Sequence, residues 1–328
     1  MSLELSGRPV LGTAADLELF VDREGELDVI ERTVRTGGNV LVLGERGSGR
    51  TSLLRVLDAR LRAEQARSLF VEGALVSSAA ELLELIAYRV APRRAPDYEL
   101  RGALERMPES AKLLERVRHL ERILERSGAP QVVLLDELTS SETAHVLFGR
   151  LRDELWRLPL RWVVAGSTAD RVVYLRPPAD AFFARVVTLD PLAADSALSL
   201  LRARVPRADA SDARLRSIAA TAEGNPRRLV RTASEVMLEG REIQDVAESE
   251  GRRERLLAGL GEPARQVVAE IEANGPASAS DEQFLRRLGM TRSRAAQLLA
   301  QLEREGVLAG TYERAKGRRP RKHYALVS

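Results

Sequence analysis

A short aliphatic run, Asn39-Val40-Leu41-Val42-Leu43, breaks into the octet Gly44-Glu45-Arg46-Gly47-Ser48-Gly49-Arg50-Thr51. Helical spacing of apolar residues then resumes in Ser52-Leu53-Leu54-Arg55-Val56-Leu57. No other stretch constrains the fold as much, because buried strand, glycine-rich turn and helix start are the context in which G-x-x-x-x-G-K-[ST] works. Glycines let the backbone curl until successive N–H groups converge on one anion, and the helix N-terminus adds partial positive charge. Gly44, Gly47, Ser48, Gly49 and Ser52 therefore read as the walls of a phosphate cradle. Thr51 puts a hydroxyl where a Mg2+ ligand is needed. One residue departs from the pattern: Arg50 stands where a lysine is expected.

A lysine is a compact charge on a slim stem, and the planar fork of an arginine does not replace it one for one. Only three of the 51 basic residues are lysines, Lys112, Lys316 and Lys322. Arg50 is thus open to two readings, compositional drift at a working site or the mark of a weakened one. The expectation is that a nucleoside triphosphate binds through the backbone cradle while hydrolysis is slow or dependent on a partner.

A chain of 328 residues has room for two or three cores. An extended approach over Leu19-Phe20-Val21 precedes an amphipathic helix from Glu24, and a helix after the loop runs to about Ala66. Ser68 to Val71 reads as a second strand, residues 79–90 as a helix, and 91–110, with Pro92, Pro96 and Pro108, as an irregular connection. Apolar positions at 113, 114, 117, 120, 123 and 124 predict a core-facing helix over 111–126. Val132-Val133-Leu134-Leu135 is a buried strand ending in Asp136-Glu137. A helix over 142–157 leads to the strand Trp162–Gly166, ending at Ser167-Thr168. After Pro177-Pro178, Arg185 precedes a last strand, Val186–Leu189. Strands alternating with helices imply a parallel sheet covered on both faces, with ligands beyond the C-terminal strand ends. Gly44, Asp136 and Ser167 all fall at such ends. Asp136 suits a Mg2+ ligand through water, and Glu137 suits a group that orients or deprotonates an attacking water.

From Pro191 to about Glu250 only short helices are expected. Beyond them, residues 262–273 make a helix, 281–288 a short second one, and Thr291 caps a third that ends before Gly306. Val307-Leu308 and Tyr324–Val327 read as strands of a hairpin. Between them lie six basic residues, Arg314, Lys316, Arg318, Arg319, Arg321 and Lys322. Residues 251–328 hold 15 Arg/Lys against 9 Asp/Glu, leaving 36 against 39 for the rest, so the basic excess is confined to the C-terminus. Such a surplus points to a polyanionic partner.

In these segments the chain resembles the AAA+ ATPases of the origin-recognition/cell-division-control (initiator-like) type, which end in a winged helix-turn-helix. The matching pieces are FVDRE at 20–24, GERGSGRTS at 44–52, VVLLDE at 132–137, VVAGST at 163–168, FFARVV at 182–187 and EGNPRRL at 223–229. The resemblance implies a P-loop α/β core with a parallel five-stranded sheet at 17–190, after an N-terminal extension at 1–16. It also implies a helical lid at 191–250 and a winged helix-turn-helix at 251–328. It places Val21 and Arg23 near the adenine of ATP and makes Ser167 or Thr168 a polar sensor beside the γ-phosphate. Arg227 becomes the lid arginine that touches that phosphate, and Arg185 the finger offered to a neighbouring subunit. ATP in preference to GTP rests on this resemblance. In the winged helix, Thr291, Arg292, Ser293 and Arg294 would lead the third helix into a major groove of double-stranded DNA, with the basic wing on phosphates or a minor groove.

Three functions are consistent with these features. One is an ATPase that binds duplex DNA and uses ATP to switch conformation or assembly, as a homo-oligomer or with a partner ATPase subunit. The second is a nucleotide-gated DNA-binding regulator without efficient hydrolysis. The third is a signalling scaffold whose winged helix binds protein. With no cysteine and with His119, His145 and His323 far apart, no thiolate or histidine metal site is expected, and no nuclease or protease constellation is evident. Met1 to Gly12 lacks a signal pattern and no apolar run approaches a membrane span, so a cytoplasmic protein without membrane contact is expected.

Overall fold

The computed structural model describes residues 10, 12–90, 109–127, 131–138, 140–205, 211–313 and 321–327. The expected connection at 91–110 falls almost wholly outside the described residues, as do Arg314, Lys316, Arg318 and Arg319 of the basic hairpin. The chain divides into two compact units, Met1–Ile243 and Gln244–Ser328.

The first unit is built on five parallel strands, β1 (Val40–Gly44), β2 (Arg67–Glu72), β3 (Gln131–Asp136), β4 (Leu160–Ser167) and β5 (Arg185–Leu189), in the order β2-β3-β4-β1-β5. Side chains alternate between the faces of a strand, and here both faces are buried. Leu41, Leu43, Val133, Leu135, Trp162 and Val164 join one core, under helices Ala79–Val90 and Glu109–Ser127. Val40, Val42, Val132, Leu134, Val163 and Ala165 join the other, under helices Glu24–Arg35 and Arg50–Ala63. This explains why the strands read as unbroken aliphatic runs. The connection leaving β1 runs to the far edge of the sheet, and the one leaving β4 passes over β1 to β5. That reversal opens a crevice at the C-terminal end of β1.

The single helix expected over 142–157 is instead three pieces. Ser141–His145 is α-helical, Val146–Arg150 forms a π turn, and Arg152–Arg157 is α-helical again. One extra residue in a turn rotates the downstream helix by about 100°, a change invisible to apolar spacing. The π turn holds Phe148 within 5.0–6.3 Å, centroid to centroid, of Trp162, Tyr174, Phe182 and Phe183. Helices Ala194–Arg204, Asp212–Thr221 and Pro226–Met237 complete the unit.

The second unit begins along helix Ile243–Ala258 and contains Glu262–Asn274, Glu282–Leu288 and Arg292–Arg304, followed by β6 (Leu308–Glu313) and β7 (Arg321–Leu326), an antiparallel pair. A bridge between Ala277 and Tyr324 ties the stretch after Glu262–Asn274 to β7. Ala295, Leu298, Leu299 and Leu302 are buried against Phe284, Val267 and Ile271, the inward face the periodicity predicts. Both strands are longer than expected, so Arg321 and Lys322 lie within β7, opposite Glu313 and Tyr312, and not at a hairpin tip. No helix among the described residues is long and apolar enough to cross a membrane.

Candidate nucleotide site and basic hairpin

Parallel register brings the predicted strand ends together: Gly44 lies beside Ser167, and Asp136 beside Ala165. Between β1 and its helix, Gly47 and Gly49 take φ of +84° and +97°, the left-handed region that glycine enters without strain. Helix Arg50–Ala63 starts from Gly49 with no side-chain cap, so the amides of Arg50, Thr51 and Ser52 lack intrahelical partners. Two buried polar atoms in this loop have no partner, Ser48 Oγ and Arg50 Nη1. Buried donors left unmade are costly unless a ligand completes them. An oxyanion chain such as a polyphosphate would satisfy them, so the cradle fits that group.

The Thr51 hydroxyl donates to the Asp136 carboxylate, which sets the two predicted Mg2+ ligands side by side. Burial, reinforced by the neighbouring Glu137 charge, holds the Asp136 carboxyl above its ordinary value of 3.8, and Thr51, Arg50 and Arg55 only partly offset this. Among the described residues no three His, Asp or Glu side chains cluster as a self-sufficient metal site, so a cation here would be shared with a ligand, as Mg2+ usually is with phosphates.

The raised carboxyl has a consequence for stability. An Asp whose folded pKa lies above its unfolded one is ionised at a cost, so stability is lost as pH rises past 3.8 toward the folded value. Asp136→Asn is therefore expected to raise the thermal midpoint at neutral pH in the absence of divalent cation. The gain should shrink as pH falls toward 4, and the variant should lose any Mg2+-dependent stabilisation by nucleotide. Calorimetry in EDTA and in Mg·ATP checks both; a lower midpoint in EDTA at pH 7 would contradict the burial argument.

Arg50 is folded back into the site. Its side chain is 9% exposed, and its Nη2 lies 3.6 Å from Oε1 of Glu137, which is itself 52% exposed. Glu137 occupies the left-handed region at φ +49°, as do Asp22 and Arg23 at +68° and +72° and Glu223 at +51°. Non-glycine residues hold that conformation at a cost and concentrate at functional sites.

The remaining predicted residues fall into two groups. Ser167 accepts from the Ala169 amide at 3.2 Å, and Thr168 is exposed beside it. Val21 is half-buried. Arg23 is buried and committed to protein: its guanidinium donates to the Asp190 carbonyl and, at 2.8 Å, to Glu26. Asp22 is tied to Ser196, and that hydrogen bond leads the causes that lower its pKa. Arg227 is the second residue of helix Pro226–Met237, and its amide donates to the Gly47 carbonyl at 3.2 Å. Arg185 opens β5 opposite Val40. That is four residues, about 13 Å, down the strand from the level of Gly44, so within one chain it lies off the cradle.

Residues 19–164 match the AAA ATPase domain family. The fold that contains this segment is similar to three solved structures. The Orc1 protein of Aeropyrum pernix in complex with DNA has a TM-score of 0.53 at 20% identity, over 94% of this chain and 89% of that one. Cdc6p from Pyrobaculum aerophilum has 0.53 at 18%, over 95% and 93%. A Walker-type ATPase of Pyrococcus abyssi has 0.52 at 17%, over 98% and 96%. At these identities the likeness is one of fold. Among proteins of curated function the sequence has no match.

The second unit exposes Arg292, Ser293 and Arg294 on the first turn of helix Arg292–Arg304, while the Thr291 hydroxyl accepts from the Arg294 amide as its cap. Arg321 is exposed. Lys322 is not a free cation: its Nζ donates to Glu303 at 2.6 Å, lies 5.2 Å from the Tyr324 ring centre, and has its pKa raised chiefly by Glu303. Asn225 is the residue that sequence reasoning passed over. It was visible only as part of a Gly-Asn-Pro turn, although an asparagine before a proline at a helix start already signals a cap.

Proposed function

We propose that this chain is an ATP-dependent switch that binds Mg·ATP between its parallel sheet and a helical lid and binds double-stranded DNA through a C-terminal winged helix. One observation carries the nucleotide half: Ser48 Oγ and Arg50 Nη1 are buried without partners within three residues of Thr51, which is paired with Asp136. Gly44, Gly47, Gly49 and the first amides of the following helix would hold the phosphates. Thr51 and Asp136 would hold Mg2+, which when bound neutralises phosphate charge. Glu137 would orient a water, Ser167 and Thr168 would sense the terminal phosphate, and Arg227 would approach it from the lid. Arg185 is suited to a neighbouring subunit's site, which favours action as an oligomer or beside a partner ATPase subunit. The contact between Arg50 and Glu137 favours the slower form of this reading, in which the water-activating carboxylate is partly held by the loop.

For DNA, three helices with a bridged antiparallel hairpin, exposed arginines on the third helix and a basic hairpin support the winged-helix reading. The Aeropyrum pernix relative in fold was solved with DNA. The test is ATP turnover with and without duplex DNA, together with DNA affinity across a salt series. Four to six neutralised phosphates give a slope of log K against log[salt] of about −4 to −5. A slope near zero would point to a protein partner for this unit.

The two described cations of β7 separate in the same assay. Arg321→Gln should flatten the slope by about 1, the signature of one lost phosphate contact. Lys322→Gln should weaken binding with the slope unchanged, because Lys322 fastens the hairpin to Glu303 of the third helix. Equal flattening by both variants would make Lys322 a phosphate ligand after all.

A further inference from the structure

We propose that Asn225 is a positioning residue of the phosphate cradle, acting from the lid by fixing the peptide planes of the loop; this deepens the nucleotide reading above and rests on it. The side chain works in two directions. Its Oδ1 accepts from the amides of Arg227 and Arg228 at 3.1 and 3.2 Å, capping helix Pro226–Met237. Its Nδ2 donates to the Arg46 carbonyl at 3.0 Å, across 179 residues of sequence. The network fixes the amide orientation: the helix end needs an acceptor and the loop carbonyl a donor, so the flipped side chain would satisfy neither.

The contact has a directional effect on the loop. In a trans peptide the N–H points opposite to the C=O. With the Arg46 carbonyl held toward Asn225, the Gly47 N–H is aimed to the opposite side. The next peptide is pinned at both ends, its Gly47 carbonyl by the Arg227 amide at 3.2 Å and its Ser48 N–H by the Glu45 carbonyl at 3.1 Å. The lid turn therefore sets the two peptides that precede the unpartnered Ser48 hydroxyl. Ser, Thr and Asp cap helices about as well as Asn. None of them can reach and donate to the Arg46 carbonyl at the same time. The identity of residue 225 is thus dictated by the loop and not by the helix it caps.

The test uses the full chain with Asn225→Ser and Asn225→Asp, both of which keep a cap. Amide hydrogen exchange over residues 45–50 is followed without nucleotide, and Mg·ATP affinity is measured by titration calorimetry. Both variants should keep a thermal midpoint within a few degrees of wild type, the shift that one lost hydrogen bond gives. Loop exchange should speed up by about three- to tenfold and Mg·ATP binding should weaken by a similar factor, the net worth of one hydrogen bond. Loop exchange identical to wild type overturns the contact. Faster exchange with unchanged ATP affinity overturns the positioning role. Faster exchange in a protein whose wild type takes up no ATP supports the contact and removes the nucleotide reading instead, so the two failures are distinguishable.

Discussion

Gly47→Ala is expected to reduce Mg·ATP affinity by two orders of magnitude or more, with the secondary structure intact. Two costs coincide at this position. An L-residue at φ +84° is strained, by about 1–2 kcal/mol. A Cβ there would also stand 2.7 Å from both Arg227 Cβ and Asn225 Oδ1. Neither atom can yield cheaply, since one is fixed by the helix backbone and the other accepts two hydrogen bonds in a side chain that donates a third. Either the loop leaves its curl or the turn before helix Pro226–Met237 lifts off it, and both outcomes dismantle the proposed cradle. Gly49→Ala is the control. Gly49 is just as left-handed, at φ +97°, but its nearest neighbour to a new Cβ is Pro226 Cγ at 4.0 Å. That variant carries the conformational strain without the clash, so its affinity should fall about tenfold. Titration calorimetry on both, with circular dichroism as the folding check, decides the matter. Equal losses would mean that the lid does not rest on Gly47 in solution.

The contrast between these glycines shows where sequence reasoning reaches and where it stops. The three central strands were legible because each is buried on both faces, so Val40–Leu43, Val132–Leu135 and Trp162–Ala165 carry no polar interruption. Parallel register then aligned Gly44 with Ser167 and Asp136 with Ala165 without further information. The Thr291 cap was equally legible, since it acts on an amide three residues away. What the sequence hides is the long-range polar contact. Arg23 reads as a ligand-facing arginine, yet its guanidinium is bound to a carbonyl 167 residues later. Lys322 reads as one more charge of a basic stretch, yet an antiparallel register carries it over Gly310 to Glu303. Local spacing encodes which face a residue lies on and says nothing of the partner that side chain meets there.

The same limit applies to Arg50, where composition alone left two readings open. The side chain is neither a spectator nor a simple substitute for lysine, because its Nη2 approaches the Glu137 carboxylate at 3.6 Å. Glu137→Gln is expected to lower ATP turnover by about 10²–10⁴-fold, the usual worth of a general base, while Mg·ATP affinity stays near wild type. Arg50→Lys should do the reverse. A shorter, more compact cation leaves the carboxylate unheld and still faces the phosphates, so turnover should rise several-fold with little change in affinity. The double variant is the decisive measurement. If Arg50 restrains turnover through Glu137, the gain from lysine disappears once Glu137 is glutamine, and the two effects fail to add by that factor. A gain that survives in the glutamine background would place the influence of Arg50 on the phosphates alone. No gain in either background would mark the arginine as compositional drift at a working site.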